Sequence, residues 1–222
     1  MATDRLKIYN GALLICGVRS IASLTVDEEA RYLLDDVWND GGLDYCLSEG
    51  QWRFAIRTQQ IDYDASIQPD FGLRHGVPKS TDWLLTSAVC SDEYFRTPLL
   101  NYTDESGILY ADLDSIYVKF VSNDADYGGN LSLWPPAFTY YVKCYFASRI
   151  ILQVSADESR HNDLLGQGAH RGALDKALLD ARNRDAISEP TRFAAMNWWN
   201  RARRTRGRSN RWDGGNPNSL IG

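Results

Sequence analysis

No stretch of this chain supplies the roughly 18 consecutive apolar residues that a membrane-spanning helix needs. Its first ten residues, MATDRLKIYN, lack the basic-then-apolar order of a secretory signal. Cysteine is sparse and dispersed: Cys16, Cys46, Cys90 and Cys144 include no C-x-x-C pair. That spacing argues against a disulfide framework or a thiolate metal site, and four buried thiols in a reducing compartment are expected. There is no G-x-S-x-G nucleophile motif and no Cys–His pairing. Of the three histidines, His75 falls in a loop pattern, and His161 and His170 are nine residues apart, out of ligand register on one helical face. The run Gly166-Gln167-Gly168-Ala169-His170-Arg171-Gly172 is one residue too long for G-x-G-x-x-G, follows no strand, and lies inside a helical pattern. No catalytic residue, cofactor or metal ligand is nominated by these patterns.

Acidic residues, by contrast, are plentiful and clustered: Asp27-Glu28-Glu29, Asp35-Asp36 and Asp104-Glu105. Paired carboxylates held about 5–9 Å apart perform glycosidase chemistry, but such runs more often mark a helix N-terminus or a solvated face. The net charge of −5 conceals an asymmetry. From Arg192 onward, seven arginines face a single acid, Asp213, for a net +6, while the first 191 residues carry 17 positive and 28 negative charges, a net −11. Body and tail are built for different neighbours.

A length of 222 residues, 44% of them hydrophobic, is enough for one good core, or one core plus a small module. Leu6, Tyr9, Leu13 and Cys16 recur at helical spacing, with Thr3 or Asp4 to cap the start and Gly17 to stop it. Thr25-Val26-Asp27-Glu28 has the capping-box pattern before a second helix with Ala30, Leu33, Leu34, Val37 and Trp38 on one side. Gly41-Gly42 loosens or ends that helix, and Leu43 to Leu47 adds a turn. From Arg53 to Tyr63 the period turns extended, and residues 64–80 read as a long loop. Strands are expected at Leu84–Val89, Glu93–Tyr102 (broken by Pro98), Ile108–Ala111 and Ser115–Val121, with Asp104 to Gly107 a turn and Asn123 to Asn130 the exit loop.

Trp134 precedes a proline and must be extended, while Pro135 and Pro136 suit a helix N-terminus. Phe138, Tyr141, Val142, Tyr145 and Leu152 then form an aromatic-rich core stripe. Ser155-Ala156-Asp157-Glu158 is a second capping box, and the helix it opens would run to about Ala186, roughly 45 Å. Gly166, Gly168 and Gly172 each cost about 1 kcal/mol in such a helix, so they mark a break or a close approach of a neighbouring helix. The expected fold is α+β: a helical bundle (1–52 and 134–187), an inserted antiparallel β module (53–133), and an extended basic C-terminal arm (188–222).

The arm carries Trp198, Trp199, Arg201, Arg203, Arg204, Arg206, Arg208, Arg211, Trp212 and the segment Gly214-Gly215-Asn216-Pro217-Asn218, and lacks the aliphatics of an independent core. Phosphate neutralisation with aromatic stacking would suit nucleic acid. Guanidinium forks onto carboxylates, with tryptophans filling apolar pockets, would suit a protein partner. A simple solvated tail is the third possibility. The acidic body favours the protein partner.

Several motifs together resemble the head-to-tail adaptor proteins of short-tailed bacteriophages, also called tail tubular protein A or head-completion proteins. Ile8-Tyr9-Asn10-Gly11-Ala12-Leu13, Ile21-Ala22-Ser23-Leu24, Asp27-Glu28-Glu29-Ala30 and Trp52-Arg53-Phe54-Ala55 resemble that family's opening. Val77-Pro78-Lys79-Ser80-Thr81-Asp82-Trp83-Leu84-Leu85 is similar to its approach to the β module. Trp134-Pro135-Pro136-Ala137-Phe138 and Ser155-Ala156-Asp157-Glu158 are similar to its return to the bundle. The resemblance covers residues 5–185. The glycines near 166–172 and the long basic arm depart from it. It implies a non-enzymatic virion protein, assembled in the host cytoplasm into a ring usually of twelve copies. That ring would sit beneath the portal, carry the tail nozzle, and surround the channel through which genomic DNA leaves without specific binding.

Overall fold

The computed structural model describes residues 4–69, 72–166 and 170–188. Helix α1 (Arg5–Cys16) buries Ile8, Tyr9, Ala12, Leu13 and Cys16. It ends where Gly17 adopts φ 75°, a left-handed conformation that glycine reaches without a Cβ clash. The Val18 N–H donates to the Leu13 carbonyl at 3.0 Å, closing the turn. Helix α2 (Glu29–Val37) buries Leu34 and packs Ala30, Leu33 and Val37 beside it. Its expected capping box does not form: the Thr25 hydroxyl pairs with Ser23 at 3.1 Å, and the helix begins only after Glu28. A π-turn, Trp38–Gly42, then kinks at Asp40 and Gly41 (φ 79°), and α3 (Leu43–Ser48) follows.

The strands lie between residues 56 and 122 and form two three-stranded antiparallel sheets. In the first, β1 (Ile56–Asp62) and β3 (Trp83–Cys90) flank β6 (Ser115–Ser122). In the second, β2 (His75–Pro78) and β4 (Thr103–Glu105) flank β5 (Ile108–Ala111). Alternation along β6 sends Ile116, Val118 and Phe120 into a core shared with Val77, Leu109 and Ala111 of the second sheet. Trp83 stacks on Phe120 with centroids 4.1 Å apart.

Three sequence expectations fail in this region. Residues 64–80 are not all loop, because β2 forms at their end. Glu93–Tyr102 is not a strand: the Asp92 carboxylate accepts from the amides of Arg96 and Thr97, at 3.0 and 2.7 Å, and winds the chain into a turn. Only an isolated bridge joins Pro98 to Cys90. Strand β4 also takes in Asp104 and Glu105, leaving Ser106 and Gly107 as the turn.

Helix α4 (Pro136–Val154) is the spine of the helical part. It buries Phe138, Tyr141, Val142, Cys144, Phe146, Ala147, Ile150 and Ile151, so it is covered on nearly all sides. Leu152, expected on its inner stripe, is 46% exposed, and Ile150 and Ile151 take the inward positions. The Ser155 hydroxyl bonds back to the Ile151 carbonyl and closes α4 instead of capping the next helix. Asp157 is the true cap of α5 (Glu158–Leu165), accepting from the Arg160 amide at 3.0 Å.

The long helix breaks. Gly166 has φ 86°, and a Cβ there would meet the His170 carbonyl at 2.3 Å. A Cβ on Gly172 would meet the Leu164 carbonyl at 2.1 Å, so both glycines serve the tight return into α6 (Ala173–Ile187). Residues 1–186 form one compact unit, and a second begins at Ile187. Among the described residues no helix is long and apolar enough to cross a membrane.

Candidate functional site

The two motifs that mark the changes of period, Gln51–Ala55 and Trp134–Phe138, meet in space. Trp52 is buried and lies 4.8 Å, centroid to centroid, from Phe138. Phe54 and Trp134 each approach the same Phe138 ring at 4.9 Å, the latter edge-on. Both indoles also find acceptors, as buried tryptophans require: Trp52 Nε1 donates to the Cys46 carbonyl at 3.2 Å and Trp134 Nε1 to the Gly128 carbonyl at 2.8 Å. The chain therefore leaves the helices and returns to them through one aromatic joint. Gly128 fits against it closely, since a Cβ there would come within 2.4 Å of the Ser122 carbonyl.

Polar ties reinforce the joint. Asp82, at the start of β3, accepts from Arg57 Nη1 at 2.9 Å and from the Ser122 hydroxyl at 2.5 Å. Burial alone would raise its carboxyl, but the hydrogen bonds from Ser122 and Arg57 outweigh that and hold it down to about 2. The Asn123 amide donates to Asp44 of α3 at 3.0 Å, and Asp185 of α6 accepts from the Arg53 amide at 3.1 Å. Burial raises the Asp185 carboxyl, while the Arg53 contacts oppose that shift. Arg182 of α6 donates to the Glu49 carbonyl and pairs with its carboxylate at 3.0 Å.

A second hub joins α1 to α2. Asp35 accepts from Arg5 at 2.6 Å, from the Tyr9 hydroxyl at 2.8 Å and from Arg31 at 2.5 Å, and the Arg5 guanidinium lies 4.7 Å from the Trp38 ring. Burial, together with the bond to Asp35, pushes the Tyr9 phenol well above its ordinary range. Each acidic cluster of the sequence thus has a visible local role. Asp27 accepts from the Tyr32 hydroxyl at 3.0 Å, Asp35 serves this hub, and Asp104 pairs with Lys79 at 2.6 Å.

His75 contacts Asp114 at 3.2 Å and packs against Tyr63, whereas His161 belongs to α5 and His170 to the turn before α6. Among the described residues no group of three or more His, Cys, Asp or Glu could hold a metal ion. All four cysteines are free and buried. Burial pushes the Cys16 thiol up to about 11 and the Cys46 thiol higher still.

Beside the kinked π-turn, α2 and α4 enclose a groove of about 580 Å³. Leu33, Val37 and Tyr145 give it an apolar floor, and Asp36, Asp40 and Arg149 stand among its walls. Tyr145 is itself stacked on Tyr45, centroids 5.0 Å apart. The arm residues Trp198, Trp199, Arg201, Arg203, Arg204, Arg206, Arg208, Arg211 and Trp212 lie outside the described residues. Sequence reading missed both carboxylate hubs and the groove. A faint signal existed for the Asp35 hub, because Arg31 and Asp35 are four apart on a helix; Asp82 and Ser122 carry no such local mark. Neither the protein-family models nor the curated proteins contain a match to this chain.

Proposed function

We propose that the chain is a structural virion protein, a head-to-tail adaptor whose copies form a ring, of twelve by the resemblance, joining the portal to the tail nozzle around the DNA channel. The reading rests on one observation: two of the motifs that carry the resemblance, Trp52-Arg53-Phe54-Ala55 and Trp134-Pro135-Pro136-Ala137-Phe138, meet at Phe138, with the strands lying between them in the chain and helices on either side. In such a ring, subunits pack side to side in a heterologous contact, which closes when the rotation permits. Apolar side chains left in solvent, Leu14 on α1 at 78% exposed and Leu100 in the β3–β4 turn at 89%, are natural contact points for other copies or virion parts. An acidic lumen would repel DNA phosphates and let the duplex slide.

Imaging of the purified protein mixed with the portal of its own particle tests this. A ring seated on the portal is the expected result. A lone monomer that ignores the portal and is absent from assembled particles would overturn it. A gel shift with a steep salt slope, abolished by replacing the arm's arginines, would instead assign the arm to nucleic acid.

A further inference from the structure

The groove between α2 and α4 is lined by charges of both signs. Asp35 is saturated by two arginines and a tyrosine, yet its neighbour Asp36 faces the groove, and Asp36, Asp40 and Arg149 make no ion pair with any described residue. Leu33, Val37 and Tyr145 line the same groove. An occupant that matches this lining needs a cation, a flat apolar group and an anion, in close succession.

The sequence contains one such triplet in its basic arm, Arg211-Trp212-Asp213, and Asp213 is the single acid from Arg192 onward. We infer that this groove receives Arg211-Trp212-Asp213 from the arm of a second copy of the chain. Arg211 would fork onto Asp36 and Asp40, Trp212 would cover Tyr145 and the aliphatic floor, and Asp213 would meet Arg149. The other arginines add attraction toward a body of net charge −11. The arm is long: α6 ends at Ile187, and the 24 residues to Arg211 span up to about 80 Å when extended. The inference rests on the ring reading, in which neighbouring copies stand side by side, and it gives that ring a strap from each subunit to the next. Around a closed ring the straps act together, so a weak single contact becomes a firm one.

Crosslinking of full-length chains tests the strap. One preparation carries Gln153→Cys beside the groove and the other Ser209→Cys in the arm, and a short bismaleimide is applied to their mixture. The native thiols are buried, with Cys16 held near 11, and react slowly. The expected product joins two chains, grows with protein concentration, and falls about tenfold with Asp36→Arg/Asp40→Arg in the groove chain. Adding Arg211→Asp and Asp213→Arg to the arm chain, with Arg149→Asp in the groove chain, should restore it. Circular dichroism checks that each variant remains folded, and the neutral pair Asp36→Asn/Asp40→Asn serves if the reversal does not. A yield unchanged by either groove variant would overturn the inference. So would a product that forms only within single chains carrying both cysteines, independent of concentration. Ring formation on the portal is scored separately by imaging, so rings without the crosslink remove the strap and leave the adaptor reading standing.

Discussion

Asp82 illustrates how a residue with no reactive task can still govern stability. Its carboxylate sits at the foot of β3, 12% exposed as a side chain, where Arg57 and Ser122 converge on it. Because its folded value of about 2 lies below the ordinary carboxylate value, the folded state gains stability that is fully present above about pH 4 and is lost as pH falls toward 2. The expected contribution is about 1–2 kcal/mol. Asp82→Asn should lower the denaturant midpoint at pH 7 and flatten the acid limb between pH 4 and 2; an unchanged acid limb would refute the assignment. Trp52, buried against Phe138, tests the joint more severely. Trp52→Ala removes a large ring from a site with no room to collapse, and should cost about 3–5 kcal/mol in equilibrium unfolding. Gly128→Ala should cost about 1–3 kcal/mol through overpacking, since its Cβ has only the Ser122 carbonyl, Ala55 and Leu47 to displace. Loss of either residue without effect would mean that the two halves are not held at this point.

At the scale of the element, the sequence was legible wherever one strong local signal stood unopposed. Gly17, the Trp134-Pro135-Pro136 start of α4, and the alternation of Ile116, Val118 and Phe120 each predict what the structure contains, because period and backbone chemistry agree. Reading failed where two local signals competed. Thr25 and Ser155 look like caps, but one hydroxyl pairs with Ser23 and the other closes the helix before it. Glu93–Tyr102 has strand composition, and Asp92 overrides it by capturing two amides ahead of it. Strand β2 was invisible because its partner β5 is some thirty residues away, and pairing across that distance leaves no periodic trace in four residues. The α4–α5 link offers a paired test. Ala156 adopts φ 50°, which glycine tolerates better, so Ala156→Gly should stabilise the protein by about 0.5–1 kcal/mol. Asp157→Ala next to it should destabilise by about 1 kcal/mol through loss of the α5 cap. Thermal melts of the two single variants should move in opposite directions; a shared direction would show that this link is not set by backbone geometry.

For the whole molecule, the charge division decides what can be removed. The described core draws on residues from Ile8 to Ala181, and Asp185 of α6 accepts from the Arg53 amide. Deleting residues 192–222 removes seven arginines and three tryptophans and retains every residue of the described core. The truncated chain should keep its helical circular dichroism and melt within about 3 °C of the full chain. Under the proposed adaptor role, docking to the portal should weaken sharply, because an arm that orders on its partners would add contact area and avidity after the first encounter. The weakening should itself depend on salt. At low ionic strength the full chain should far outperform the truncated one, and the gap should narrow as the Debye length shrinks from about 10 Å at 0.1 M toward 3 Å at 1 M. Equal docking of the two chains at low salt would leave the acidic body as the whole adaptor and deny the arm its part in assembly.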